Sequence, residues 1–441
     1  MGHARPPMGW NSWDCYGTTV TETELLANAQ FMAQHLAEHG WDTVVCDIQW
    51  YEPNARAGGY NDNATLLLDA NGRQLPVPER FPSALNAAGH NTGFTAIAKQ
   101  IHQLGLRFGV HLMRGIPRQA VRDNLPIAGS TWHAADVANP ASTCPWNSDN
   151  VGVNTEHPGA QDWYDALIDQ LARWGVDFLK VDDMLAPYHA RDIEMIHAAI
   201  KRAAAAHGTD ITLSLSPGTR VSLRRQPHLA AHSTMWRISD DLWDRWEDLT
   251  AQLDRLALWA PHQTPGAWAD ADMLPLGRIG IRAERGEPRD SRLTHSEQQV
   301  LMSAWTLAQS PLMMGGDLPT SSPQTIELLT NADLLEHYRQ GIAAHCILHE
   351  GDIRVWATPP QAKLCHVAVF NLADNSHTAV IDLADIPASP QATAVDIWSG
   401  ETFTVNPGNE QHPYPHIVLE LAPHSVVHLR LDTGDTDVNT V

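Results

Sequence analysis

Basic residues are scarce in this sequence. Lysine and arginine together number 29 against 51 aspartates and glutamates, a formal charge of −22. That surplus repels phosphate backbones and anionic bilayers, so nucleic acid and membrane are not expected as partners. Cysteine is scarcer still. Cys15, Cys46, Cys144, Cys346 and Cys365 are odd in number and widely spread, with neither zinc-ligand spacing nor a disulfide framework. Free buried thiols in a reducing compartment are the expectation. No apolar run approaches the roughly 20 residues that span a bilayer. No apolar signal core precedes the patterned sequence that starts near residue 8, which predicts a cytoplasmic chain. No glycine-rich phosphate loop follows the first strand candidate, which weakens a doubly wound sheet as the alternative fold.

What is present is length, tryptophan and periodicity. The 441 residues suffice for two domains, and 16 of them are tryptophan. Over roughly the first 340 residues, short apolar segments alternate with segments of helical period. Strands are predicted at 8–13, 42–48, 106–112, 176–182, 211–215, 235–238, 258–261 and 311–314, and helices at 21–40, 94–104, 160–174, 191–206, 242–256 and 298–309. This pattern predicts an α/β fold, a (β/α)8 TIM barrel over residues 1–340. Beyond it, β-branched runs at 346–348, 353–356, 364–370, 378–383, 392–398, 417–421 and 424–431 predict a C-terminal antiparallel β-domain over 341–441. The stretches 50–91 and 115–155 are predicted to be long loops over the barrel mouth.

The most informative run is 174–183, an apolar alternating segment that ends in Asp182 and Asp183 with Lys180 just before them. Strand alternation places Phe178, Lys180 and Asp182 on one face. An ammonium beside a carboxylate keeps it ionised, as a covalent nucleophile on a sugar requires. Other predicted strand ends carry Trp13, Asp47, His111, Ser216, Arg237 and the pair Asp240–Asp241, with Asp270 and Asp272 after the seventh. Carboxylates and indoles converging on one rim suit a sugar. Asp182 is assigned the attack and Asp241 the acid/base role, although spacing alone leaves Asp240 open and allows one of the pair to cap a helix. His111 could equally be a structural hydrogen-bonding group. Acidic rim residues could also hold a cation, but no tight ligand motif is seen.

Several separated segments then resemble one family. Residues 7–13 (Pro-Met-Gly-Trp-Asn-Ser-Trp), 174–182, Trp236-Arg237 with Asp241 four residues on, 268–274 and 311–318 are similar to the signatures of the melibiase family. Its members include α-galactosidases, α-N-acetylgalactosaminidases and β-L-arabinopyranosidases, and the likeness extends to a C-terminal β-sandwich. It implies retaining, exo-acting hydrolysis of terminal galacto-configured glycosides through a glycosyl–Asp182 intermediate. The carboxyl groups of such a pair lie about 5–5.5 Å apart. It favours Asp241 over Asp240, implies no metal and no organic cofactor, and places Trp13, Asp47, Lys180 and Arg237 on the sugar with Asp272 near the leaving side. The expected partner is a glycoside or oligosaccharide substrate, and a homo-oligomer is left open. Arg118, Trp132, Trp146 and Asn147 are candidates for the aglycone side.

Two departures bear on the substrate. The family places two adjacent aspartates after the second strand, whereas here Asp47 is followed by Ile48. An unmet hydroxyl against Ile48 costs free energy, so a sugar lacking the exocyclic hydroxymethyl, such as β-L-arabinopyranose, gains, unless Gln49 or Tyr51 fills the gap. After the fifth strand the chain reads Ser216-Pro217-Gly218. Gly218 leaves room and Ser216 could meet an amide, which keeps N-acetylgalactosamine in view. A non-catalytic carbohydrate-binding barrel and a metal-dependent sugar isomerase or aldolase are the remaining alternatives.

Overall fold

In a computed structural model the described residues are 5–359, 365–384, 386 and 393–431. The expected strand positions at 364 and 392, and the polar tail after 431, lie outside them.

Eight parallel strands form the barrel. They are β1 (Met8–Asn11), β2 (Thr43–Cys46), β3 (Arg107–Met113), β4 (Phe178–Asp182), β5 (Thr212–Leu215), β6 (Met235–Arg237), β7 (Trp268–Asp270) and β8 (Leu312–Met314). Their spatial order is β7-β6-β5-β4-β3-β2-β1-β8. Closure between β7 and β8 rests on one parallel bridge, Leu274 to Met314, whose Leu274 N–H donates to Met313 O at 2.8 Å. Among the described residues no helix is long and apolar enough to cross a membrane.

The seventh strand corrects the sequence reading. Residues 258–261 are not a strand: the helix α6 (Trp246–Trp259) runs into them and a 3-10 turn follows. Their apolar character belongs to the buried helix face made by Leu249, Leu253, Leu256 and Trp259. That helix also starts later than expected, with Arg245 at its cap position, so neither Asp240 nor Asp241 caps it.

The other barrel helices follow from local chemistry. In α1 (Glu22–His35) the Thr21 hydroxyl accepts from Glu24 N–H while the Glu24 carboxylate accepts from Thr21 N–H. After α2 (Thr95–Gln103) comes α3 (Ala160–Trp174), which buries Trp163, Tyr164, Leu167, Ile168 and Leu171 at helical spacing. Gly175 closes it at φ +84°, a conformation open to glycine. Next come α4 (Ala190–His207), α5 (Gln226–His232) and, beyond α6, α7 (His295–Leu307), α8 (Pro323–Thr330) and α9 (Ala332–Arg339). Of the two long connections, 50–91 is largely irregular, whereas 115–155 folds into a small sheet of Ile116–Pro117, Asn150–Val153 and Ala138–Thr143.

The C-terminal strands are β9 (His345–Glu350), β10 (Ile353–Ala357), β11 (Cys365–Asn371), β12 (His377–Asp382), β13 (Ala394–Asp396), β14 (Thr402–Phe403), β15 (His416–Leu421) and β16 (Ser425–Leu431). They pair antiparallel in a six-stranded sheet, β9-β10-β11-β16-β13-β14, facing a β12–β15 pair. The sandwich docks on α7, where the Ser303 hydroxyl accepts from Trp398 Nε1 at 2.9 Å and lies 3.1 Å from His428 Nδ1. His428 in turn meets His366 Nδ1 at 3.1 Å, and His337 of α9 packs its ring on His366.

Candidate active site

Strand ends supply the site. Asn11, Asp182, Arg237 and Asp270 are the last residues of β1, β4, β6 and β7, and Asp47 and Ser216 follow β2 and β5 directly. In a parallel barrel these positions share one end. There a cavity of about 320 Å³ is lined by Trp13, Tyr60, Trp146, Lys180, Asp182, Pro217, Arg237, Asp240, Asp241, Glu284 and Arg285. Its aromatic wall is a run of three rings from three loops: Trp13 on Tyr60 at 4.8 Å, and Tyr60 on Trp146 at 5.0 Å.

Asp182 is held from both sides. His111 Nε2 lies 2.8 Å from its Oδ2, and Ser216 Oγ donates to its Oδ1. Burial opposes its ionisation, but the Lys180 ammonium, the charge and hydrogen bond of His111 and the Ser216 hydroxyl together hold the carboxyl well below the usual range. Lys180 itself donates to Asp47 Oδ2 at 2.9 Å, not to Asp182. Asn11 Nδ2 donates to the same oxygen at 2.7 Å. Burial works against both ions of this pair, yet their attraction wins: Asp47 is lowered and Lys180 raised.

Arg237 organises the opposite wall. Its Nη1 meets Asp272 Oδ1 at 2.7 Å and its Nη2 meets Asp241 Oδ1 at 3.3 Å. The remaining Asp272 oxygen accepts from Leu242 N–H at 2.7 Å, which pins the segment carrying Asp241. Burial, opposed by Arg237 and reinforced by Asp241 and Asp270, pushes Asp272 up. Asp14, fully buried nearby, is pushed up by burial and by the charges of Asp272 and Asp241. Among the described residues no group of three or more His, Cys, Asp or Glu is arranged to hold a metal ion.

Of the residues singled out from sequence, Trp13, Lys180, Asp182, Arg237 and Asp241 line the cavity, as does Asp240, the alternative to Asp241. Asp47, Ile48, His111, Ser216, Gly218 and Asp272 are buried and are not part of that lining. Ser216 Oγ donates its hydrogen to Asp182, which leaves its oxygen able to accept. One residue differs from expectation. Gly218 leaves no room: a Cβ there would sit 1.8 Å from Arg237 O, so the glycine serves a close approach of two backbones. Gln49 and Tyr51 are also committed, both donating to the buried Asp149 at 2.8 Å. Of the aglycone candidates, Trp146 reaches the cavity, whereas Arg118 donates to Asn150 O, Trp132 packs on His157 and Asn147 donates to Asp149. Tyr60, Glu284 and Arg285 were not foreseen.

Residues 148–338 match the family model for alpha galactosidase A, and residues 350–431 match that for the alpha galactosidase C-terminal beta sandwich domain. A β-L-arabinopyranosidase from Geobacillus stearothermophilus superposes with a TM-score of 0.91 at 40% identity, over 98% of this chain and 97% of that one. The chain belongs to the melibiase family. A putative α-N-acetylgalactosaminidase from Bacillus halodurans is also 40% identical, with a TM-score of 0.84 over 98% of this chain and 99% of that one. An α-galactosidase of Oryza sativa is 24% identical, over 95% of this chain and 82% of its own length. As a member of that family the chain is a glycoside hydrolase, and the cavity at the strand ends is its candidate active site.

Proposed function

We propose that this glycoside hydrolase is a retaining exo-glycosidase in which Asp182 is the nucleophile and Asp241 the acid/base. The observation that carries this is the meeting of Asp182 from β4 and Asp241 after β6 on one cavity with Trp13. Asp182, kept ionised, attacks the anomeric carbon while Asp241 gives its proton to the departing oxygen. A covalent glycosyl ester on Asp182 results. Asp241, now a carboxylate, takes a proton from water, which attacks the same carbon and releases Asp182. Trp13 offers its face to the ring, and Lys180 donates to the hydroxyls with Asp47 behind it. Contacts of this kind speed the reaction as far as they tighten in the oxocarbenium-like state.

For the glycone, a pentopyranose is favoured over galactose. Ile48 is fully buried and offers no acceptor, and its neighbours are turned elsewhere: Gln49 and Tyr51 donate to Asp149, and the Gln49 oxygen accepts from Asn61. The similar Geobacillus enzyme is described as a β-L-arabinopyranosidase, and a variant of it is in complex with arabinose. An N-acetylated glycone is disfavoured, because the space expected beside Gly218 is filled by the Arg237 backbone.

The test is a parallel assay on nitrophenyl β-L-arabinopyranoside, α-D-galactopyranoside and N-acetyl-α-D-galactosaminide. Arabinopyranoside is expected to be turned over fastest, Asp182→Ala to be inactive, and azide to rescue it with an inverted glycosyl azide product. Full activity in Asp182→Ala would refute the assignment. Ile48→Asp should move the preference toward the galactoside, and an unmoved ratio would reject the account of Ile48.

A further inference from the structure

One segment over the cavity does not follow from the strand-end logic. Between the short strands Arg278–Ile279 and Arg289–Asp290 the chain makes a hairpin that leans across the mouth. Both legs are tied down. On one, Gly280 N–H donates to Asp14 O at 2.8 Å and Arg282 N–H to Cys15 O at 2.9 Å, while Arg282 Nη2 reaches both Glu24 oxygens at 2.7 Å. On the other, Arg289 grips Asp244 at 2.8 and 2.6 Å and caps Arg285 O at 2.8 Å. A loop anchored this way holds its apex in place.

That apex carries Glu284 and Arg285 into the cavity wall. The stem of Glu284 lies on Gly59, where a Cβ would stand 3.2 Å from Glu284 Cγ, and so beside Tyr60 of the aromatic wall. Its carboxylate is half-buried, yet among the described residues it has no hydrogen-bond partner. Burial first, then the charge of Asp241, push the Glu284 carboxyl up, against the pull of Arg285. Glu284 and Asp241 line the same cavity, and Asp241 is the group that protonates the leaving oxygen in the reading above. A half-buried carboxylate facing a polar cavity is an acceptor for hydroxyl donors, and hydrogen bonds to a charged group are stronger than those to a neutral one.

Resting on the glycosidase reading above, we propose that Glu284, with Arg285 beside it, forms a leaving-group subsite that selects a hydroxylated aglycone, a second sugar. The carboxylate accepts from hydroxyls, the guanidinium donates to them, and Tyr60 and Trp146 offer ring faces to the sugar's C–H groups. Specificity built on such hydrogen bonds discriminates strongly against a group that lacks them. The subsite thus distinguishes an oligosaccharide end from a simple aryl glycoside.

The experiment compares kcat/KM on a disaccharide, the preferred glycone on glucose, with kcat/KM on the matching nitrophenyl glycoside. In Glu284→Ala the disaccharide-to-aryl ratio should fall about tenfold, with most of the loss in the disaccharide KM, and Glu284→Asp should recover part of it. Arg285→Ala, at an exposed position, should move the ratio the same way and guards against a folding defect at Glu284. Ratios within twofold of the parent in both alanine variants would overturn the subsite while leaving the glycosidase reading intact. A parent that cleaves neither substrate would overturn that reading and the subsite with it.

Discussion

His111 Nε2 stands 2.8 Å from Asp182 Oδ2, across adjacent strands of the barrel. The imidazole is fully buried and among the described residues its Nδ1 has no partner, so its hydrogen-bonding capacity is directed at this carboxylate. Together with Lys180 and Ser216 it keeps Asp182 ionised. Hydrogen bonds to charged groups are worth about 1.5–3 kcal/mol. Ser216→Ala should therefore lower kcat/KM by about ten- to a hundredfold. It should also move the acid limb of the pH profile upward, because the lost donor favoured the ionised form. A profile identical to the parent's would remove Ser216 from that role.

The Lys180–Asp47 pair predicts a second outcome. Both groups are nearly out of water, with side-chain exposures of 13% and 1%. Removing one member of a buried pair strands the other, at a cost of about 3–5 kcal/mol. Lys180→Met should lower the denaturant midpoint accordingly as well as abolish turnover. The double variant Lys180→Met/Asp47→Leu should regain stability but not activity. Equal midpoints for parent and single variant would show the pair to be energetically idle.

Gly218 gives a third. With a Cβ 1.8 Å from Arg237 O, Gly218→Ala must push back the end of β6, and overpacking of this kind costs about 1–3 kcal/mol. Arg237 positions both Asp241 and Asp272, so displacement should reduce kcat by up to about a hundredfold. An active, stable Gly218→Ala would mean that the two backbones can part freely.

The domain junction predicts a pH dependence of stability. Burial, then neighbouring positive charge, lowers His337 to about 3, His366 to about 4, and His428 well below its ordinary value. A base depressed in the folded state contributes stability above its unfolded pKa of about 6.5, and that contribution drains away as pH falls toward the folded values. The junction should thus weaken between about pH 6.5 and 4, each unit of depression being worth about 1.4 kcal/mol. Raised carboxyls such as Asp14 and Asp272 titrate in the opposite sense, so the contribution is isolated by difference. The parent should lose more stability than His366→Gln from pH 7.5 to 4.5, and parallel losses would refute the junction's part.

The barrel, the sandwich and the cavity carboxylates Asp182 and Asp241 were legible because each rests on a strong local pattern. Asp182 closes an alternating strand, and Trp236-Arg237 with Asp241 keeps its spacing whatever the loop does. The seventh strand was misplaced because Trp268–Asp270 is too short to show a period, while the apolar end of α6 mimics one. Gly218 was located at the right strand end but given the wrong neighbour, since spacing along the chain says nothing of which backbone lies opposite. Tyr60, Glu284 and Arg285 escaped notice because they sit on long irregular connections whose path is set by tertiary anchors such as Arg282 on Glu24.

The single bridge between Leu274 and Met314 makes the β7–β8 seam the thinnest hoop of the cylinder. If the staves part anywhere while the molecule remains folded, they part there. Deuterium uptake at the Leu274 and Gly315 amides, which carry that closure, reads such breathing directly.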